Sequence, residues 1–212
     1  MTQAPLRRLR ARCVALVAVA LVAGCTQSRR LEQHANPAYV GKPFKRVLVV
    51  AVTQDDVGRR LFEDRMTSLL AKRGIKGVQA YSILGGKPAA VEEAKLRAAI
   101  AEAGADGMLI ARATRVEDSS FTTPGRSVAI GVGWGGLYGY YSGIWQTAYL
   151  PPETVSGPTR TISETRLFDA KTGTLAWSGT IGTQDRGGVV DDAALQQYVE
   201  IVFDAMLRDG VI

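Results

Sequence analysis

Proton transfer, nucleophilic attack and metal binding each need particular side chains, and this sequence supplies few of them. Its one histidine is His34 and its two cysteines are Cys13 and Cys25. From residue 35 onward no Ser-His-Asp or Cys-His set and no zinc site of the usual kind can be built. Carboxylates remain. Asp55-Asp56 and Asp191-Asp192 stand where helices should open, so they read as caps that satisfy free amides and the helix dipole. Glu92-Glu93 falls on a helix surface. Glu164, beside Arg166 in a strand, and Asp185, in the polar stretch Asp185-Arg186-Gly187-Gly188, are the acids a peptidoglycan hydrolase could use. Nothing in the sequence brings them together; exposed strand pairing and a turn explain both, and the chain reads as a non-enzyme that holds no metal.

The second candidate chemistry is nucleotide binding. Gly131, Gly133 and Gly136 in GVGWGGLYGYYSGIW spell G-x-G-x-x-G, which cradles a pyrophosphate only between a strand and a helix. Ser127-Val128-Ala129-Ile130 supplies a strand, but Gly139 and Gly143 interrupt the segment after it and Pro151-Pro152 ends the region, so no nucleotide is expected. A period-two alternation fits better: Val128, Ile130, Val132 and Trp134 on one face, Ala129, Gly131, Gly133 and Gly135 on the other. The aromatics Trp134, Tyr138, Tyr140, Tyr141 and Trp145 crowd this insertion at about 127–150, and such rings favour surfaces half apolar and half wet. Three readings stay open: an irregular hairpin folded onto its own domain, a docking surface for a protein partner or lipid headgroups, and a membrane-inserting hairpin of an oligomeric pore.

The first residues carry the most specific signal. Arg7, Arg8, Arg10 and Arg12 precede an uncharged run from Cys13 to Gly24. That run is short for a membrane-spanning helix, which needs about 20 apolar residues, and suits a secretory signal. Its end, Leu21-Val22-Ala23-Gly24-Cys25, resembles the lipobox of bacterial lipoproteins. The resemblance implies cleavage of the 1–24 signal peptide between Gly24 and Cys25, a diacylglycerol on the Cys25 thiol and an N-acyl chain such as palmitate on the new amino terminus. Thr26, where an enterobacterial inner-membrane lipoprotein would carry Asp, implies the periplasmic face of the outer membrane. Loss of residues 1–24 removes four arginines and no acid from a formal charge of +6, so the basicity lies mostly in the leader and nucleic acid is not an expected partner. With Cys13 removed and Cys25 acylated, no intramolecular disulfide is available.

Residues 25–43 read as the lipidated cysteine and a polar tether broken by Pro37, Gly41 and Pro43, with His34 a solvated residue in it. The body, 44–212, is long enough for one well-buried domain. Arg46 to Val52 is a continuous apolar run fit for a strand covered on both faces. Asp55 or Thr53 can cap a helix reaching about Arg73, with Val57, Leu61, Phe62, Met66, Leu69 and Leu70 at helical spacing before Gly74. Lys76 to Ile83 reads as a strand, Pro88 to Ala103 as a helix closed by Gly104, and Ala105 to Ala113 as a third strand: a β-α-β-α-β half. Thr159 to Asp169 and Thr174 to Thr180 form a hairpin about Ala170-Lys171-Thr172-Gly173. Asp191 to Arg208 is the last helix. The fold class expected is α/β, a single-domain sandwich with a mixed β-sheet and about three helices.

The order FKRVLVVAV, AGADGMLIAR, ETRLFDAKTGTLAWSG resembles a broad group of Gram-negative envelope lipoproteins. Their fold is similar to the periplasmic domain of the curli-secretion lipoprotein CsgG, the penicillin-binding-protein activator LpoB and the amino-terminal domain of TolB. The resemblance implies a compartment and a fold. The functional expectation is a lipid-anchored binding or scaffolding module with an envelope protein partner; a subunit of an oligomeric secretion channel and a peptidoglycan hydrolase are the alternatives.

Overall fold

The computed structural model describes residues 29–39, 41–53, 55–85, 91–118, 136–146, 158–186 and 192–212. The signal segment, Cys25, the strand expected at 127–130, Trp134 and Pro88 lie outside them. The first described segment corrects the tether reading: Arg29–Ala35 is a strand, β1, paired antiparallel to the hairpin's second strand. RRLEQHA has no apolar face to betray it, because an edge strand is held by main-chain hydrogen bonds on one side alone. Side chains then secure it. Gln33 and the indole of Trp177 both donate to the Asp209 carboxylate beyond the last helix, and the Asn36 amide donates to Leu175 O.

Strand β2 (Arg46–Val52) is buried along almost its whole length, as its unbroken apolar run requires. Helix α1 (Asp56–Ala71) comes next, capped by Asp55, whose carboxylate accepts from Val57 N at 3.0 Å. It ends before Gly74, which takes φ +75°. Phe62, Met66 and Leu70 form its buried stripe, but Val57 is 68% exposed; at 100° per residue it projects on the opposite side.

The strand expected over Lys76–Ile83 is shorter. β3 (Lys76–Gln79) gives way to a single helical turn, α2 (Ala80–Leu84). Helix α3 (Glu93–Ala103) starts later than the predicted Pro88, and Gly104 ends it in the left-handed region at φ +59°. The Gly-Ala-Asp turn then docks on β2: Asp106 accepts from Arg46 N at 2.8 Å and from Lys45 N at 3.0 Å. β4 (Gly107–Asp118) continues beyond the expected Ala113.

Leu137–Gln146 is a helix, α4, where glycines argued against one. β5 (Pro158–Asp169) and β6 (Leu175–Arg186) make the predicted hairpin. In its turn Asp169 accepts from Lys171 N and Thr172 N, and Gly173 holds φ +71°. Helix α5 (Asp192–Arg208) closes the chain.

One mixed sheet results, in the order β1-β6-β5-β4-β2-β3, with β3, β2 and β4 parallel and the rest antiparallel. The α/β class and mixed sheet are as expected, with five described helices rather than about three. Alternate residues of β2 and β4 feed two cores. Val47, Val49, Ala51, Leu109 and Ala111 pack under α1 and α5; Leu48, Val50, Val52, Met108 and Ile110 pack under α2, α3 and α4.

Candidate functional site

The aromatic candidates separate on folding. Leu137, Tyr140, Tyr141 and Ile144 recur at i, i+3, i+4 and i+7 along α4, and all four are buried. This is the helical stripe, and it seats α4 on the second core. Tyr140 is 8% and Tyr141 2% exposed, so neither offers a docking surface: the aromatic segment, where described, folds onto its own domain. Each buried ring outweighs a helical glycine, about 1.5–3 kcal/mol against about 1. Tyr138 and Trp145 are half-buried at the margin; Trp145 stacks edge-on against Tyr141, and the Arg97 guanidinium lies 3.8 Å over the Tyr138 ring. Gly136 does precede a helix, but Leu137 N donates to Gly173 O at 2.9 Å. That amide is already used within the fold.

Tyr140 leads to a polar cluster that the sequence did not announce. On the face of β4 and β5 beneath α4, Glu164 accepts from Arg112 Nε at 3.0 Å and from the Tyr140 hydroxyl at 3.0 Å through one oxygen, and from Arg166 Nε at 2.7 Å through the other. Strand alternation puts Glu164 and Arg166 on one face, and the register Arg112↔Glu164 places the second arginine opposite. Both guanidinium groups also lie near the Tyr140 ring, at 4.3 Å for Arg166 and 5.7 Å for Arg112. Burial alone would raise the Glu164 carboxyl, but the charges of Arg166 and Arg112 outweigh it and hold the group below the ordinary carboxylate range. Burial and the Glu164 charge together push the Tyr140 hydroxyl up. An ionised, doubly paired Glu164 is a poor proton donor.

Asp185, expected in a loop, lies within β6 with its backbone opposite Thr159. Glu164 is five residues along β5 from that position, about 17 Å at roughly 3.3 Å per residue. Glycosidase carboxylates stand about 5–10 Å apart. The two acids are not brought together. His34 is exposed in β1, and no cluster of three metal-ligating side chains exists among the described residues.

Another glutamate was read from sequence neither as site nor as core. Glu63, on α1, is fully buried. Its carboxylate accepts from Ala51 N at 3.1 Å and from Tyr81 N at 2.9 Å, so it serves as the cap that α2 lacks from its own residues. Burial raises it to about 7 despite those bonds and the nearby Arg59 charge.

On the α1/α5 side the sheet leaves a cavity of about 150 Å³ beside the end of β2 and the middle of β4. It exists because the side chains meeting there are small: Ala51, Ala111 and Ala113 on the strands, Gly58 on α1 and Ala194 on α5. Phe62, Leu195 and Tyr198 supply apolar walls, while Ser163 and Thr183 supply hydroxyls. Tyr198 bonds Thr165. Thr183 Oγ1 is buried and meets no partner among the described residues. Only the alternation of small residues along neighbouring strands hinted at such a space.

No family model matches the chain, and no curated protein matches it. Among solved structures it is similar to two PelC dodecamers from Paraburkholderia phytofirmans in different crystal forms, the first of them a point variant. One form shows 14% identity, covering 86% of this chain and 98% of that one, with a TM-score of 0.43; the other shows 16% identity, covering 85% and 95%, with a TM-score of 0.41. It is also similar to the lipoprotein GNA1162 from Neisseria meningitidis, at 15% identity over 76% of this chain and 97% of that one, with a TM-score of 0.41. Among the described residues no helix is long and apolar enough to cross a membrane.

Proposed function

We propose that this protein is a lipoprotein, anchored through acyl chains on Cys25 at the periplasmic face of the outer membrane, that acts there as a non-enzymatic binding or scaffolding module. The Leu21-Val22-Ala23-Gly24-Cys25 stretch carries the reading. A diacylglycerol thioether and an amide-linked chain give the two hydrophobic attachments that stable anchoring needs, since one chain binds marginally.

The beginning of β1 supports a particular arrangement of that module. Arg29 is four residues past Cys25, so the anchor and the sheet are separated by at most about 13 Å of extended chain. Arg29 pairs with Gly182, toward the end of the sheet where β4 runs out to Asp118 and β5 begins at Pro158. That end stands next to the bilayer. Partner contact is then sought there and at the half-buried rings of Tyr138 and Trp145, with Trp134 as the third candidate, rather than at Tyr140 and Tyr141.

Metabolic labelling with an alkyne palmitate tests the anchor. Wild-type protein should carry the label and sediment with outer membranes; Cys25→Ser should lose the label and leave the membrane fraction. An unlabelled wild-type chain with a free thiol at residue 25 would end the reading.

A further inference from the structure

We propose that Arg166, with the hydroxyls of Ser178 and Thr180 beside it, binds a phosphate group, that of a soluble ester or of a lipid headgroup, on the α4 side of the β5–β6 ladder. The inference goes beyond the anchoring role and does not depend on it. Charge is the first observation. Arg112 and Arg166, with side chains 14% and 7% exposed, share the single carboxylate of Glu164, itself 13% exposed. Buried charges are ordinarily paired, and here one positive charge is left over among the described residues. The Tyr140 ring offsets it only in part, because a ring quadrupole attracts a cation less than an anion does. Glu164 takes Nε and Nη2 of each guanidinium. Nη1 of Arg166 has no bond to a described residue and is not enclosed, so it can meet a solute.

The register supplies the remaining donors. Ser178 stands opposite Arg166 and Thr180 opposite Glu164, on the same face and about 5 Å away between Cβ atoms. Both are half-buried. Neither hydroxyl bonds a described residue, and neither is enclosed. The two N–H groups of Nη1 and two hydroxyls from the adjacent strand suit a tetrahedral oxyanion; a carboxylate, with two oxygens, would be met by the guanidinium alone. The surroundings keep the sign. Arg160 lies across β6, its Nε 2.6 Å from where a Cβ on Gly182 would stand, in the space a side chain there would take. Arg112 adds charge, though it also borders the cavity beside β2. On β1, Glu32 and His34 are exposed opposite Thr180 and Ser178; Glu32 opposes an anion through water, where a unit charge acts weakly. Three arginines against two glutamates leave the described side chains of this stretch positive.

Inorganic phosphate is the probe, titrated into the full chain in a neutral detergent with ionic strength held constant by chloride, and amide NMR shifts are the readout. Saturable shifts are expected at Arg166, Ser178 and Thr180. Ser178→Ala combined with Thr180→Val should weaken binding about tenfold while leaving the arginine pair in place, and Glu32→Gln should tighten it about twofold by removing the opposing charge. Arg166→Gln should abolish it; should that variant misfold, the two-hydroxyl variant decides. Phosphatidylglycerol in the same micelles separates the sources. Saturation at the same residues well below the phosphate concentration assigns the group to a lipid, and saturation by phosphate alone assigns it to a soluble ester. The proposal is overturned if the shifts do not saturate, if they fall elsewhere on the chain, or if the two-hydroxyl variant binds phosphate as wild type does.

Discussion

Two glutamates, Glu63 buried and Glu164 mostly so, stand on opposite sides of the sheet and have opposite protonation chemistry. Glu63 meets main-chain amides from Ala51 and Tyr81; Glu164 meets the guanidinium groups of Arg112 and Arg166 and the hydroxyl of Tyr140. Amides are dipoles and guanidinium groups are full charges. In the first setting desolvation prevails and the pKa rises to about 7; in the second the cations prevail and it falls. Desolvation raises both carboxyls and does not by itself fix their charge. The kind of donor that replaces water does.

The largest effect that would test this contrast is Glu164→Ala. It leaves two mostly buried guanidinium groups without their anion, and unfolding in urea should show a loss of about 3–5 kcal/mol. A loss below about 1 kcal/mol would mean that water reaches the arginines, and the contrast would break.

Next comes the pH dependence of Glu63. Its pKa is raised on folding from an ordinary 4.5 to about 7, so between those values the native state holds the extra proton. The stability associated with neutral Glu63 is complete below about pH 4.5 and is lost as pH climbs through about 7, by roughly 3 kcal/mol. The lowered pKa of Glu164 acts in the opposite direction, its contribution present above the ordinary carboxylate range and lost as acid protonates it. Urea midpoints across this range should thus fall with rising pH in wild type and flatten in Glu63→Gln. That substitution would also turn a side-chain amide N–H toward one of the two main-chain donors, so the variant should be less stable than wild type at pH 5. A wild-type profile flat from pH 5 to 7.5 would place Glu63 in contact with water.

The smallest effect sharpens the picture. Tyr140→Phe keeps the ring under both cations and removes one hydrogen bond to the Glu164 carboxylate, for an expected loss of about 1–2 kcal/mol. If it costs as much as Glu164→Ala, the tyrosine rather than the arginines dominates the cluster.

Elements whose side chains alone decide their structure were readable in the sequence. β2 declares itself by an uninterrupted apolar run, α1 and α5 by 3.6-residue spacing, and the β5–β6 hairpin by Asp169 and Gly173 at the positions its turn demands. Elements decided by something distant were not. β1 depends on the main chain of β6 and on Asp209, 176 residues from Gln33. α2 departs from the strand its apolar run implies because Glu63, 18 residues earlier, binds Tyr81 N. α4 is a third case: the i, i+3, i+4, i+7 signal was present in Leu137, Tyr140, Tyr141 and Ile144, and the propensity of Gly139 and Gly143 was weighed above it. Of the polar cluster, the Glu164-x-Arg166 half was visible by strand alternation. Arg112 entered only through the β4–β5 register, and the cavity only through the three-dimensional coincidence of small residues.

Because residues 29–35 join the sheet, a chain fixed at Cys25 would also meet anything else in a different way. A loose string of the same length would let the body wander through a volume far larger than itself, sampling neighbours above the lipid. With residues 29–35 zipped against β6, a chain so anchored would have that wandering reduced to a tilt. Encounters would then come chiefly by gliding in the plane of the membrane, always with the same side leading downward, and any partner would have to present its own contact close to the lipid heads.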